Sequence, residues 1–294
     1  MSTLAPRVVV VSRRSELDEL LARHGTRGAA AFFLRQRGRD LDEVTARHEA
    51  LRAALTEVGA AVPADWRRGS VERADLPRFL FAPEDVVIAV GQDGLVANVA
   101  KYLDGQPVIG VDPEPGRNAG VLVRHRASAV SRLLAGGRPG GEARTMVVAR
   151  LDDGQELYGL NEIYVGHAGH QSARYVLSVP SGSSERQSSS GLIVGTGTGA
   201  TGWCASIARE RSAVPELPGV AEAGLCWFVR EAWPSPATGV SLVAGVLGGD
   251  SELELTSESE RLVVFADGVE GDALELSWGQ RVRVGLAGRR LQLV

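Results

Sequence analysis

A buried-strand pattern runs straight into a turn that contains a single acid, Asp93. The apolar run from Val86 to Val90 is followed by a Gly-Gln-Asp-Gly turn, residues 91–94, and a helical run begins at Leu95. This order predicts a parallel strand that ends in a tight βα turn, and open α/β sheets bind ligands beyond the carboxyl ends of such strands. Asp93 is therefore a candidate for chemistry. Because Asp and Gly are favoured in turns for backbone reasons alone, a purely structural turn is the alternative.

Glycine and threonine alternate from residue 195 to residue 202, a composition suited to contacts with phosphate or an adenine ring. Residues Gly197 to Gly202 match the G-x-G-x-x-G fingerprint of dinucleotide-binding turns, before a helical run through Arg209. A plain Rossmann turn is disfavoured, because no clear second parallel strand with a ribose-binding acid follows and threonines interleave the glycines. Glycine lets the backbone approach a ligand closely, and threonine hydroxyls supply hydrogen bonds.

Asn161 and Glu162 stand together at the head of an apolar, strand-like run, Ile163 to Val165. An asparagine amide can recognise the edge of a base or a carboxamide, and a glutamate can hold ribose hydroxyls. Either side chain could instead cap a turn. The pair is a candidate substrate-binding element, with a structural role as the alternative.

The composition favours a globular protein whose partners are small molecules. The 294 residues are enough for two domains or one large one, and 44% hydrophobic with 23% charged residues excludes disordered and collagen-like chains. The formal net charge of −4 gives no electrostatic reason to expect a nucleic acid, whose binding depends on concentrated Lys and Arg. No apolar run approaches the roughly 18 residues that span a membrane. We therefore expect neither a nucleic-acid nor a membrane partner.

A cytoplasmic location is expected from the N-terminal residues and from the cysteines. The strand-like run Arg7 to Val11 comes so early that it leaves no room for a signal or transit peptide. Cys204 and Cys226 are too few for a disulfide framework or a zinc site, which fits a reducing cytosol.

The first third of the chain predicts alternating strands and helices. Val8 to Val11 and Gln106 to Val111 have the pattern of buried parallel strands, like the strand before Asp93. Apolar residues between Leu41 and Val58 recur at helical spacing, with Gly59 as a C-terminal cap. Ala61 to Pro63 is a candidate for the second strand. The pattern predicts an α/β domain with a parallel sheet.

Beyond residue 118 the apolar segments are short, rich in β-branched residues and separated by few helical runs, which predicts an antiparallel, β-rich domain. The predicted strands are Thr145 to Leu151, Arg174 to Val179, Leu192 to Val194, Leu253 to Leu255, Leu262 to Phe265 and Val282 to Leu286. The Ser-rich stretch Ser181 to Ser190 is predicted to be a hairpin loop. The domains are therefore residues 1–118 and 119–294, with a C-terminal segment that could return to the first domain.

The order and spacing of the three motifs resemble the ATP-dependent NAD kinase family, over a region from Val8 to the C-terminus. The match is closest to the mitochondrial-type branch, whose loop runs Thr-Gly-Thr-Gly rather than Thr-Pro-Thr-Gly. Further matches to that branch are residues 110–117, 189–192, 229–231 and 263–268. The resemblance implies the two-domain fold of NAD and diacylglycerol kinases, with a substrate-binding and dimerisation domain second, and a homodimer.

The resemblance also implies an enzyme that transfers the γ-phosphate of ATP to the 2′-hydroxyl of the adenosine ribose of NAD, giving NADP. Asp93 would be the general base, and Mg²⁺ would arrive with ATP rather than at a metal site of the protein. Nucleotide or phosphate contacts are implied for Gly91, Gln92, Gly94, Thr196, Gly197, Thr198 and Gly199. Substrate contacts are implied for Asn161, Glu162, Thr201, Gly202, Trp203 and Asp267.

Two residues depart from the family turn, which reads Gly-Gly-Asp-Gly-Thr. Gln92 adds a side chain that could block backbone approach or require a negative φ, and Leu95 removes a hydroxyl from the start of the helix. Either change could reduce activity or shift the acceptor. The alternatives are a kinase of the same fold for another hydroxyl, on a nucleoside, NADH or a lipid, and a non-catalytic dinucleotide-binding regulator.

Overall fold

Residues 5–117 and 120–294 are described by a computed structural model. The chain divides into two units, the first formed by Met1–Glu142 with Gln292–Val294 and the second by Ala143–Leu291. The predicted boundary between residues 118 and 119 lies outside the described residues. The C-terminal residues belong to the first unit because their strand adds to its sheet.

The first unit alternates strands and helices. Its strands are β1 (Arg7–Ser12), β2 (Arg67–Glu72), β3 (Asp85–Val90), β4 (Pro107–Val111), β5 (Glu142–Arg144) and the C-terminal β18 (Leu291–Leu293). Its helices are α1 (Glu16–His24), α2 (Arg27–Arg35), α3 (Leu41–Ala61), α4 (Asp93–Ala100) and α5 (Val130–Leu134), with 3₁₀ turns at Arg73–Arg78 and Ala127–Ala129.

The six strands form one sheet in the order β2-β1-β3-β4-β18-β5. The pairs β1–β2, β1–β3, β3–β4 and β4–β18 are all parallel. Strand β3 is buried along its whole length, as expected for a central strand covered on both faces. The turn with Asp93 follows β3 directly and therefore lies at the carboxyl ends of the parallel strands.

Three expectations for this unit are corrected. Helix α3 continues through Gly59 and ends at Ala61, because the two alanines favour helix and Val62 is held in an extended conformation before Pro63. Ala61 to Pro63 is consequently not a strand, and the second strand is β2, a polar edge strand without an apolar run to reveal it. Helices α1 and α2 were not predicted, although Ser15 and Asp18 form a capping box that marks the start of α1.

The second unit is almost entirely antiparallel. Its strands are β6 (Val147–Leu151), β7 (Glu156–Gly159), β8 (Glu162–His167), β9 (Ala173–Ser178), β10 (Ser184–Ser189), β11 (Leu192–Thr196), β12 (Gly224–Val229), β13 (Ala244–Gly248), β14 (Glu252–Ser257), β15 (Leu262–Ala266), β16 (Val269–Leu276) and β17 (Arg281–Leu286). A 3₁₀ turn at Gly199–Thr201 and helix α6 (Trp203–Arg209) follow β11.

Two six-stranded sheets make up this unit, in the orders β10-β9-β14-β17-β6-β7 and β13-β12-β11-β8-β15-β16. Buried residues of both sheets, among them Tyr175, Leu192 and Val264, form a shared core. On the other face of the second sheet, Cys204 of α6 packs with Cys226 and Phe228. Strands β8 and β11 are thus held on both faces, which fixes the segments at their ends.

The predicted fold class is confirmed, because a parallel α/β unit is followed by antiparallel sheets. Each of the six predicted strands of the second half overlaps a strand of the structure, although Thr145, Met146 and Val179 lie outside the strands. The predicted loop from Ser181 to Ser190 is wrong, since Ser184–Ser189 is strand β10, paired with β9 at the edge of its sheet. A polar sequence is common in edge strands, and a strand without an apolar run cannot be recognised from its hydrophobic pattern.

Candidate functional site

The turn after β3 is held in place by its backbone. The Gly91 amide donates to the carbonyl oxygen of Val111 at 2.9 Å, and the Leu95 amide donates to the carbonyl oxygen of Gln92, also at 2.9 Å. Helix α4 begins at Asp93, with Gln92 as its N-cap. The turn therefore fixes the Asp93 backbone at the carboxyl edge of the sheet.

The Asp93 carboxylate is clamped by three consecutive backbone amides. Val121 donates to Oδ2 at 3.0 Å, while Leu122 and Val123 donate to Oδ1 at 2.8 and 2.9 Å. A carboxylate offers about four acceptor positions, and the described residues fill three of them, which leaves one position on Oδ2 open. Asp93 is only half-buried. This side chain is thus oriented in advance and can accept one further hydrogen bond.

Gln92 causes no backbone strain, although the corresponding turn of NAD kinases has glycine at this position. Its φ is −100°, which any residue adopts, and its side chain is exposed. Leu95 is buried, and a Cβ placed on Gly91 would lie 3.0 Å from its Cδ2 atom. Gly91 therefore makes room for Leu95, whereas the backbone of this turn does not require glycine at position 92.

Asp267 repeats the amide clamp in the second unit. It lies in the two-residue hairpin turn between β15 and β16, with φ values of 53° at Asp267 and 66° at Gly268, as in a type I′ turn. Its carboxylate accepts from the amides of Leu160, Asn161 and Glu162 at 2.8, 2.7 and 3.2 Å. Asp267 therefore fixes the backbone of the Asn-Glu pair.

Glu162 differs from the other two carboxyl groups of the predicted site in its hydrogen bonding and its pKa. Burial raises its pKa to about 8, and the nearby negative charge of Asp267 adds to the rise. Among the described residues its side chain has no hydrogen-bonding partner, in contrast to Asp93 and Asp267. Glu162 is therefore protonated in much of the population at neutral pH, and it can donate or accept a hydrogen bond.

Replacing Glu162 with glutamine tests this burial through the pH dependence of stability. The carboxyl ionises near pH 4.5 in the unfolded chain and near 8 in the folded chain, so the folded state binds more protons between these values. From 4.5 to 8 the group lowers the free energy of unfolding by up to about 1.4 kcal/mol per pH unit. Denaturant unfolding at several pH values should show a shallower fall for Glu162→Gln than for the wild type.

Glu270→Gln is the matched control, because Glu270 is an exposed glutamate of the same unit. It should follow the wild-type curve. An unchanged pH dependence in Glu162→Gln would contradict the raised pKa of Glu162.

The glycine-threonine loop is built around the hydroxyl of Thr196. Its Oγ1 donates to the carbonyl oxygen of Leu160 at 2.5 Å and accepts from the amides of Thr198 and Gly199 at 3.1 and 3.3 Å. The donor and both acceptor positions of this hydroxyl are therefore occupied within the loop. Thr196 positions the loop, while the exposed Thr201 donates to the carbonyl oxygen of Thr198 at 2.8 Å and can still accept.

Two glycines bring the loop against other backbone segments. A Cβ on Gly197 would lie 1.9 Å from the carbonyl oxygen of Gly219, and one on Gly199 would lie 2.1 Å from that of Asn161. Real side chains cannot occupy such positions without displacing the backbone. The loop and the Asn-Glu pair are thus packed together, and the buried Thr198 Oγ1 has no partner among the described residues.

Trp203 begins α6 and rests on an aromatic floor. Its ring is stacked on Tyr164, with centroids 6.0 Å apart and planes at 14°. The Tyr164 ring also contacts Phe265 at 4.7 Å, and its hydroxyl donates to the carbonyl oxygen of Ser190 at 2.9 Å. Trp203 retains 36% exposure, so part of a rigidly supported indole faces solvent.

The structure brings the predicted residues of the second unit together. Asn161 and Glu162 share the Asp267 clamp, Gly199 packs on Asn161, and Trp203 stacks on the β8 strand that Glu162 begins. The residues Gly91, Gln92, Asp93 and Gly94 belong to the first unit.

Sequence reasoning missed the amides of Val121 to Val123 and the ring of Tyr164. Backbone amides leave no trace in residue type, whereas an aromatic two residues after Glu162 is a weak signal that was available.

Within residues 5–117 and 120–294, no group of three or more His, Cys, Asp or Glu residues is placed to hold a metal ion. In the same ranges no helix has the length and apolar character needed to cross a membrane.

Comparison with known proteins gives one informative similarity. No protein-family model matches the sequence. The chain resembles the NAD kinase of Clostridium tetani (strain Massachusetts / E88), with 28% identity over 201 residues, which is 65% of this chain and 68% of that protein. This similarity supports the NAD kinase family. The assignment to the mitochondrial-type branch stays a prediction.

Proposed function

We propose that this protein is a kinase that transfers the γ-phosphate of ATP to the 2′-hydroxyl of the adenosine ribose of NAD, giving NADP. The similarity to an NAD kinase supports the substrate and the reaction class. The observation that carries the proposal is the Asp93 carboxylate, which three amides orient and which keeps one acceptor position.

Asp93 would act as the general base. Its open Oδ2 position would accept the proton of the ribose 2′-hydroxyl as that oxygen attacks the γ-phosphate. A well-placed base contributes about 10²- to 10⁴-fold to a rate, and positioning and charge neutralisation supply the rest. Gly91, Gln92 and Gly94 would present the start of α4 to phosphate.

The second unit would bind the nucleotides. Asn161 and Glu162 would hold ribose hydroxyls and a base or carboxamide edge, and Trp203 would contact a ring. Thr201 and Gly202, both exposed, would make polar contacts with the substrate. Thr196, Gly197, Thr198 and Gly199 would shape the phosphate-binding loop, and Asp267 would act by holding the amides of residues 160–162.

Mg²⁺ would enter with ATP and neutralise the charge of its phosphates. This ion prefers octahedral oxygen ligands and usually keeps several waters, with one or two carboxylates and the substrate phosphates completing its shell. Asp93 is not assigned to this ion, because its open acceptor position on Oδ2 would be taken by the ribose hydroxyl. A homodimer and a cytoplasmic location remain predictions, and sedimentation of the purified protein tests the former.

A panel of acceptors separates this proposal from its two alternatives. The protein with Mg²⁺-ATP is offered NAD, NADH, a nucleoside or diacylglycerol, and ADP and phosphorylated product are measured. Phosphorylation of NAD above the others supports the proposal, and preference for another acceptor supports a same-fold kinase of different specificity. If none is phosphorylated while NAD still raises the melting temperature, the protein is a non-catalytic binder.

Replacing Gln92 with glycine is expected to preserve or raise turnover. The Gln92 side chain is exposed and its backbone is unstrained, so its removal opens the turn without displacing Asp93. We expect kcat to stay within about threefold or to increase, since a glycine N-cap alters helix stability by only about a few tenths of a kcal/mol. Steady-state kinetics measures this, and a large fall in kcat would show that Gln92 itself contributes to substrate binding.

A further inference from the structure

Arg230, the residue after β12, has a rigid backbone. Its amide donates to the carbonyl oxygen of Gly191 at 2.8 Å, and its carbonyl oxygen accepts from the Ser190 amide at 2.9 Å. The next residue, Glu231, has a φ of 41°, in the left-handed region that is uncommon outside glycine. The chain therefore turns sharply at a defined place, immediately after Arg230.

The Arg230 guanidinium lies beside the exposed indole of Trp203. Its central carbon is 5.5 Å from the centroid of that ring, within the range of a cation–π contact. The indole is in turn stacked on Tyr164, whose hydroxyl is tied to Ser190. Arg230 and Trp203 are thus held next to each other, Arg230 by the segment before β11 and Trp203 by Tyr164 of β8.

The guanidinium of Arg230 makes a longer ion pair than two other arginines of the same unit. Its polar contact among the described residues is an ion pair with Glu231 at 3.5 Å, and the Glu231 side chain is 64% exposed. In the same unit Arg186 and Arg283 reach their glutamate partners at 2.8 Å. Arg230 is more buried than either, at 32% side-chain exposure against 58% and 57%. A half-buried guanidinium with open donors is suited to an anionic ligand.

We infer that Arg230 binds a phosphate group of the nucleotide whose ring or ribose contacts Trp203. The inference rests on the proposed function for the presence of that nucleotide at Trp203. A guanidinium is a planar fork that binds two phosphate oxygens at once, and aromatic faces hold rings by stacking. A nucleotide carries a ring system and phosphates a few bonds apart, so this pair of side chains matches both of its parts.

Nucleotide binding by the Arg230→Met variant tests the inference. Methionine keeps an apolar side chain against the indole but removes the positive charge. Calorimetric titration compares NAD and ATP, which carry phosphates, with adenosine, which carries none. We expect the Arg230→Met variant to bind NAD or ATP at least tenfold more weakly than the wild type does. Its affinity for adenosine should fall by less than twofold. Arg230→Lys should recover part of the affinity. Arg186→Met, which breaks an ion pair elsewhere in the unit, should bind all three as the wild type does.

Three results would overturn the inference. One is equal weakening of adenosine and the phosphorylated ligands, which would mean that Arg230 only supports Trp203. The second is unchanged binding of all three, and the third is a wild-type protein that binds neither NAD nor ATP. Since the test measures binding alone, a protein that fails to phosphorylate NAD can still show the Arg230 effect, and the two proposals fail separately. Melting curves check that the variants are folded.

Discussion

Replacing Asp93 with asparagine is expected to lower kcat for NAD phosphorylation by about 10²- to 10⁴-fold. Asparagine has nearly the same shape but cannot accept a proton at the open position of Oδ2. The loss should appear in kcat, because the proposed contacts with NAD lie on Asn161, Glu162 and Trp203. Steady-state kinetics with NAD and Mg²⁺-ATP, together with NAD titration, separates the two effects.

The amide clamp requires a stability control for this variant. The asparagine side chain presents an NH₂ group where one carboxylate oxygen accepted a hydrogen bond, so at least one of the amides of Val121 to Val123 loses its partner. We expect a loss of about 1–3 kcal/mol in the free energy of unfolding, with the protein still folded. Asp104→Asn, at an exposed acid soon after α4, should leave both kcat and stability unchanged. A folded Asp93→Asn with wild-type kcat would remove Asp93 from the mechanism.

Replacing Gly199 with alanine is expected to disrupt the substrate-binding loop. The added Cβ would lie 2.1 Å from the carbonyl oxygen of Asn161, a backbone atom that cannot rotate away as a side chain does. Relief requires the loop or the Asn-Glu pair to move. We expect a destabilisation of about 1–3 kcal/mol, the usual size of overpacking, and NAD binding at least tenfold weaker. Denaturant unfolding and calorimetric titration with NAD measure the two effects.

Gly271→Ala is the matched control in the same unit. A Cβ on Gly271 meets nothing within 4 Å, and this residue does not have a left-handed φ. The control should bind NAD normally and lose no stability. If Gly199→Ala binds NAD as tightly as Gly271→Ala does, the packing of the loop on Asn161 is irrelevant to the ligand.

The buried strands could be predicted because apolar, β-branched runs have few other uses. Strands β1, β3 and β4 all follow this rule, as does β11. The polar strands β2 and β10 could not be found in this way, since edge strands with polar residues lack the pattern and depend on pairing with a neighbour. Helix α3 passed its predicted cap because a lone glycine is a weaker stop signal than Pro63.

The candidate site was predictable in its residue types and not in its contacts. Asp93 was singled out as the one acid of its turn, yet the amides that orient it lie 28 to 30 residues further along the chain. The contacts of Asp267 with the Asn-Glu pair span more than 100 residues. Such long-range pairings arise only when the strands assemble. The raised pKa of Glu162 has the same origin, because burial and the charge of Asp267 exist only in the folded chain.

The two amide clamps suggest a common physical logic for the carboxylates of this protein. Asp93 and Asp267 each gather three consecutive backbone amides, which fixes a loop and leaves the carboxylate nearly saturated. Glu162 has no such partners among the described residues, and burial together with the charge of Asp267 raises its pKa. Catalysis by Asp93 would therefore depend on one remaining acceptor position rather than on a freely exposed carboxylate.

The most direct test of the kinase proposal is the product formed from NAD and Mg²⁺-ATP. Phosphorus NMR of the reaction mixture identifies where the phosphate is attached, and ADP is quantified in parallel. We predict a 2′-phosphate on the adenosine ribose, formed in equal amounts with ADP, and formed about 10²- to 10⁴-fold more slowly with Asp93→Asn. Binding of NAD to the wild-type protein with no 2′-phosphorylated product and no ADP would contradict it.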